Sequence, residues 1–176
     1  MKRMHLVLLA VLLFVVSAPF AEAGKGRGGS NGGLSAVEKD SLLHMREEEK
    51  LARDVYLTLG AIWNVRVFDN IAESEQRHMD AVKNLLDKYG LLDPAADNGI
   101  GEFTNPAFTE LYDQLIERGM QSSDEAYRVG VAIEQLDIED LERLLGVVTM
   151  SDIKRVYTNL LNGSYNHLAA FESQLD

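Results

Sequence analysis

The chain of 176 residues contains no cysteine, which excludes disulfides, thiolate metal ligands and any iron–sulfur or rubredoxin-type centre. Basic residues are few as well: 17 Lys and Arg stand against 28 Asp and Glu, a net charge of −11. That balance repels nucleic acid and attracts cations. Convincing strand alternation is missing, so the sequence points to an all-α fold. Beyond the N-terminal run, no apolar segment is long enough to span a bilayer. Without disulfides, stability must come from packing, alone or together with a metal.

The N-terminus has its own character. Lys2 and Arg3 precede an apolar run from Leu6 to Val16, and Ala21-Glu22-Ala23 offers small residues before Gly24. This is the layout of a cleavable secretory signal, with cleavage near Ala23/Gly24 and a periplasmic or secreted mature protein. An uncleaved anchor is the alternative. The expected organisation is a signal peptide over 1–23, a flexible Gly-rich leader over 24–34, and one domain over 35–176.

Helix punctuation divides that domain. Ser35-Ala-Val-Glu38 is a capping box, and the helix it opens is expected to end at Gly60. A second helix begins around Arg66 to Phe68 and stops at Gly90, after the periodic Val82, Leu85 and Leu86. Residues 91–104, with Pro94, Gly99 and Gly101, read as a link. Asn105-Pro106 opens a short helix ending at Gly119. Ser122-Ser-Asp-Glu125 reads as a further capping box, starting a helix that runs to about Leu145, and Thr149-Met-Ser-Asp152 leads into a last helix reaching near the terminus. Two antiparallel helical hairpins joined by a long crossover with a short extra helix make a four-helix bundle.

The chemistry concentrates on the apolar stripes. Glu75 and His78 are one helical neighbour step apart, so their side chains project together, and Phe68, Ile71, Ala72, Met79, Val82 and Leu86 surround them at helical spacings. A buried carboxylate needs a partner or a metal. In an antiparallel hairpin, residues equidistant from the turn share a height. The midpoint between Glu49 and Glu75 is residue 62, and that between Glu134 and His167 lies between residues 150 and 151, each inside a predicted turn. Both pairs therefore sit about 20 Å of helix from their turns. Asp137 lies one step beyond Glu134 on the same face. On the first helix Glu47, Glu48 and Glu49 compete, and periodicity slightly favours Glu48. His44 lies off the ligand face, Trp63 covers the bundle end, and Arg46, Lys50 and Arg53 read as helix-surface ion pairs.

Met45-Arg-Glu-Glu-Glu-Lys-Leu-Ala-Arg-Asp-Val-Tyr56, Ser74-Glu-Gln-Arg-His-Met79, Ile133-Glu-Gln-Leu-Asp-Ile-Glu-Asp-Leu141 and Asn162-Gly-Ser-Tyr-Asn-His-Leu168 occur in that order. Over roughly 35–173 the chain resembles the ferritin-like family called domain of unknown function 2202. Glu49-Lys-Leu-Ala52-Arg-Asp-Val-Tyr56 also looks like the first helix of ferritins and rubrerythrins, and on that likeness Glu49 is preferred to Glu48. The resemblance implies a ferritin-like bundle with a di-iron centre, and manganese or zinc as substitutes. Its metal ligands would be Glu49, Glu75, His78, Glu134, Asp137 and His167. Glu75 and Glu134 would bridge the ions, and Tyr56 and Tyr127 would stand behind them as hydrogen-bond or electron donors. Ser164 departs from the pattern, which places a Glu three residues before the last His. Dioxygen or peroxide are the implied reactants, with an external electron donor for peroxide reduction, while a homodimer is compatible with the pattern. Binding metal without turnover is the rival expectation.

Overall fold

Helices account for nearly all regular structure in the computed structural model, which describes residues 33–175; the expected signal peptide and most of the Gly-rich leader lie outside the described residues. Five helices lie among the described residues: α1 (Ala36–Trp63), α2 (Arg66–Tyr89), α3 (Pro106–Gly119), α4 (Ser123–Leu145) and α5 (Ser151–Glu172). Strands are absent among the described residues. α1 packs mainly on α2, and α4 on α5. Contacts of α1 with α4 and of α2 with α5 close the ring, and α3 lies against α1 and α4. No described helix is long and apolar enough to cross a membrane.

The helix starts follow from their caps. Ser35 Oγ accepts from Glu38 N, while Glu38 Oε2 accepts from Ser35 N at 2.9 Å, a complete capping box. Asn105 accepts from Ala107 N and Pro106 fills the first turn of α3. Ser122 caps α4 as expected, but Glu125 turns its carboxylate to Arg118 and Arg128, at 2.7 and 3.0 Å. Met150, the residue before α5, lends no side-chain cap; Asp152 Oδ1 accepts from Ile153 N in the first turn, and Glu38 Oε1 fixes the approach by accepting from Thr149 N at 2.7 Å and Met150 N at 2.9 Å. The Glu38 carboxylate thus serves two helix starts. Burial would raise its pKa, but donors from Ser35, Thr149 and Met150 prevail and hold it down to about 2.

Gly60 is not the end of α1. The helix continues to Trp63 and stops at Asn64, which takes the left-handed conformation at φ 53°. A Cβ on Gly60 would lie 3.1 Å from Phe68 Cβ, so this glycine serves the close approach of α1 to α2. Gly90 does end α2 as expected, with φ 67°.

Leu42, Met45, Val82, Leu86, Leu141, Leu144, Ile153 and Leu160 form an apolar cluster at one end of the helices. Each such side chain contributes about 1.5–3 kcal/mol by leaving water. At the other end, Phe171 packs 5.0 Å from Tyr56 and 5.3 Å from Phe68, ring centre to ring centre. It has room because Gly130 faces it: a Cβ there would fall 2.7 Å from the ring.

Arg46 and Lys50 are not surface residues. Both are buried, at 6 % and 1 % exposure. Arg46 donates to both oxygens of Asp93 at 2.9 Å and to the Met79 carbonyl at 2.9 Å. Lys50 pairs with Asp54 and donates to the Gly99 carbonyl at 2.6 Å. Glu47 accepts from Asn105 N, and Asp54 from Gly101 N. These charges anchor residues 93–105 to α1. Arg53, half-buried, reaches Asp54 and Gln76.

Candidate metal centre

Between α1, α2, α4 and α5 lie five of the expected ligand residues. Glu49, Glu75 and His78 present ligand atoms within 4.8 Å of one another, and so do Glu75, Glu134 and His167. Glu75 belongs to both groups. Its Oε2 is 2.8 Å from His78 Nδ1 and its Oε1 is 2.7 Å from His167 Nδ1. Glu49 Oε2 is 3.1 Å from His78 Nδ1, and Glu134 Oε2 is 3.6 Å from His167 Nδ1. Donor separations of about 3.0–3.4 Å are what octahedral or tetrahedral edges require when ligands sit about 2.1 Å from a metal. The centres of the His78 and His167 rings are 5.5 Å apart, with their planes inclined by 29°.

Local structure sets these positions. The three-residue step from Glu75 to His78 stacks their side chains on one face of α2. Gly163 on α5 makes room for the ring: a Cβ there would lie 2.6 Å from His78 Nε2 and Cε1. Tyr56, fully buried, donates to Glu134 Oε1 at 2.6 Å and holds that carboxylate with its other oxygen towards His167. Tyr127 takes no part in this network; it stacks on Phe68 with ring centres 5.7 Å apart. Trp63 closes the end of the helices by donating to the Gly119 carbonyl at 2.9 Å.

Asp137 is buried beside the two groups but belongs to neither. Its Oδ2 and the Leu160 carbonyl share the single hydroxyl proton of Ser164. Ser164, the departure from the family-like pattern, therefore holds the residue that would compensate for it. Glu48 and Glu49 are both buried and diverge: Glu49 faces His78, whereas Glu48 faces His44. Sequence reasoning sets His44 aside as off the ligand face and passes over Asp140, yet the two meet at 3.0 Å. The signal was present, since His44 and Glu48 are four residues apart on one helix and Asp140 is three beyond Asp137.

The electrostatics are those of a buried cluster with more acceptors than donors. Glu49 Oε1, Glu75 Oε1, Asp137 Oδ1 and His167 Nδ1 are buried without a hydrogen bond. The 2.7 Å contact between Glu75 and His167 is close yet not aligned as a hydrogen bond, so both atoms aim at common space. Burial raises Glu49 to about 8 despite the neighbouring His78, and burial with the Glu75 charge raises Glu134 to about 7. Asp137 is likewise raised, by burial and then by Glu49, Glu48 and Glu134. Burial would raise Glu75 too, but His167 and His78 reverse it and hold the group down to about 2. Burial would lower the imidazoles; the carboxylates outweigh it, raising His78 to about 11 and His167 to about 9. Protons thus occupy the places that divalent cations would take, and the donor set of carboxylates and imidazoles suits zinc, iron or manganese.

A helical protein with a buried carboxylate–imidazole centre shared by four helices is the class that fold and site define. Residues 38–176 match the family described as Uncharacterized protein domain (DUF2202), and the chain belongs to that family. It is 54 % identical over 143 residues to the Uncharacterized protein MJ0754 of Methanocaldococcus jannaschii, covering 81 % of this chain and 77 % of that protein. The crystal structure of the hypothetical protein MJ0754 from Methanococcus jannaschii matches at a TM-score of 0.80 with 53 % identity, covering 84 % of this chain and 85 % of that one.

Proposed function

We propose that this protein is an exported ferritin-like di-metal carboxylate protein, with its four long helices forming a ferritin-like four-helix bundle around two iron ions. The observation that carries the reading is Glu75, whose two oxygens lie 2.8 and 2.7 Å from the imidazoles of His78 and His167. A single carboxylate spans two imidazoles. Glu49, Glu75 and His78 would hold one ion, and Glu75, Glu134 and His167 the other. Iron bound there supplies the electron chemistry that side chains lack, whether ferrous iron is oxidised or peroxide or dioxygen is reduced.

The chain's own residues provide the rest. Glu75 sets the spacing between the two ligand groups. Tyr56 fixes the orientation of Glu134 through its 2.6 Å hydrogen bond. Phe68 and Phe171 form a dry aromatic wall against Tyr56. Ferrous oxidation takes its electrons from the iron itself. Peroxide reduction would require an external donor, because the chain has no cysteine with which to hold one of its own.

A second reading, metal held without turnover, is favoured by Ser164. By hydrogen-bonding Asp137 it leaves each ion position with three residues and no fourth. Anaerobic ferrous titration of the metal-free protein, followed by admission of air, separates the readings. Saturation at two ions per chain with oxygen consumption supports the redox reading. Saturation without oxygen consumption selects the second, and absence of saturable binding sinks both.

A further inference from the structure

We infer that a third divalent cation binds outside the inner pair, at His44 and Glu48 of α1 and Asp140 of α4. This site stands on its own residues and does not depend on what the inner centre does. His44 Nε2 is 3.0 Å from Asp140 Oδ2 and 3.4 Å from Glu48 Oε2, and the three ligand atoms all lie within 4.8 Å of one another. Ligands held about 2.1 Å from one metal are separated by about 3.0 Å at right angles and about 3.4 Å at the tetrahedral angle. Both measured separations meet that requirement.

An ordinary salt bridge accounts for only part of the arrangement. A ring nitrogen carries one proton, and that of His44 is aligned with Asp140. Glu48 is left with neither oxygen hydrogen-bonded, although the residue is only 3 % exposed. A buried carboxylate without a hydrogen bond is costly to a folded protein; the His44 imidazole at 3.4 Å and the nearby Arg143 charge offset part of that cost, and a divalent ion would meet the rest. A divalent ion satisfies Glu48, Asp140 and His44 together, where the proton satisfies one contact.

The surroundings fit that use. His44 is held in place by Phe108, whose ring centre is 5.4 Å away, and Asp140 Oδ1 is steadied by Arg143 at 2.9 Å. The two acids have side-chain exposures of 4 % and 1 %, whereas that of His44 is 24 %, so the imidazole edge is the way in from solvent. One nitrogen and two carboxylate oxygens select a first-row ion such as zinc, manganese or ferrous iron over calcium, which takes only oxygen, or copper(I), which takes sulfur. Glu48 directly precedes Glu49, and Asp140 follows Asp137 by one helical step, so the third site adjoins the inner centre.

Zinc is the probe of choice, counted by metal analysis after equilibrium dialysis of the purified protein. The unmutated protein should bind three zinc ions per chain, H44A and E48Q should each bind one fewer, and E75A should lose the inner ions while keeping the outer. Zinc-edge anomalous diffraction from crystals of unmutated protein provides a test free of any folding defect, with a peak expected between His44 Nε2 and the two carboxylates. Peaks confined to the Glu75 region, or zinc counts unchanged in H44A and E48Q, would overturn the assignment. Failure of the inner reading shows differently, as the absence of any zinc loss in E75A.

Discussion

Two sides of α1 carry buried charge and treat it in opposite ways. On the side facing residues 93–105, Arg46, Glu47, Lys50 and Asp54 each find a partner in Asp93, Asn105, Gly99 or Gly101. On the side facing α2 and α4, Glu48 and Glu49 keep carboxylate oxygens without hydrogen bonds. Burial is the same on both sides, within 0–6 % exposure. The difference lies in the balance of charge: the first side is a closed set of ion pairs and hydrogen bonds, while the second has an excess of acceptors that only protons or cations can serve. Buried charge alone does not mark a functional site; buried charge left short of donors does.

Removing Glu75 should break the second side most completely. E75A takes away the carboxylate common to both ligand groups, so affinity for both inner ions should fall by roughly two orders of magnitude or more. Metal analysis after dialysis reads this directly, and helical circular dichroism should be retained. Retention of both inner ions in E75A would show that Glu75 does not join the groups.

R46M tests the first side. It strands Asp93 next to an apolar side chain and frees the link after α2, and should lower unfolding free energy by roughly 3 kcal/mol. Inner metal stoichiometry should be unchanged in urea-free buffer. If R46M lost metal while keeping its stability, the two sides would not be separable.

Of this contrast, part of the second side is legible in the sequence and the first side is not. Glu75 and His78 stood out because an acid and a histidine one step apart interrupt an apolar stripe. Glu49, Glu134 and His167 come to the same level because the short 146–150 and 64–65 connections leave antiparallel helices little freedom of register. What escaped notice depended on distant partners. Arg46 and Lys50 look like surface charges since Asp93 and Gly99 lie 47 and 49 residues away along the chain. His44 looks idle because α1 buries a second stripe against α4, and a single-stripe view of a helix has no place for it. Gly60 was read as a stop, although a glycine required by close helix packing carries the same letter as one required by a turn.

pH should move the metal-free and metal-bound proteins in opposite directions. Glu49 and Glu134 are raised to about 8 and about 7 from 4.5, so in the metal-free protein they cost stability as pH rises from 4.5 towards those values. His78 and His167 are raised to about 11 and about 9 from 6.5, so the stability they contribute is complete below 6.5 and is lost as pH climbs through those values. Both effects make the metal-free protein less stable between pH 5 and pH 8. Metal must displace the same protons, so its affinity should climb over that range. Thermal melts with and without zinc at pH 5 and pH 8 provide the measurement. A stabilisation by zinc that failed to grow with pH would mean that the protonated imidazoles are not where the metal goes.

The smallest expected effect comes from Tyr56, and it sharpens the contrast because the residue is not itself a ligand. Its hydroxyl donates 2.6 Å to Glu134 Oε1, so Y56F removes one charge-assisted hydrogen bond from a fully buried carboxylate while conserving the ring against Phe171. In the metal-free protein Tyr56 donates to one oxygen of Glu134 while the His167 imidazole lies 3.6 Å from the other, and losing the Tyr56 donor leaves the carboxylate more dependent on a proton. When an ion is bound, the loss falls on the orientation of the remaining oxygen towards His167. A weakening of about tenfold is expected at one ion position, with the Glu49–His78 position unaffected, since a hydrogen bond to a charged group is worth about 1.5–3 kcal/mol and solvent cannot replace it here. Stepwise zinc calorimetry of Y56F beside the unmutated protein should therefore show the weakening at one inner site only. Equal weakening of both would mean that Glu134, like Glu75, spans the pair, and the centre would then have two shared carboxylates instead of one.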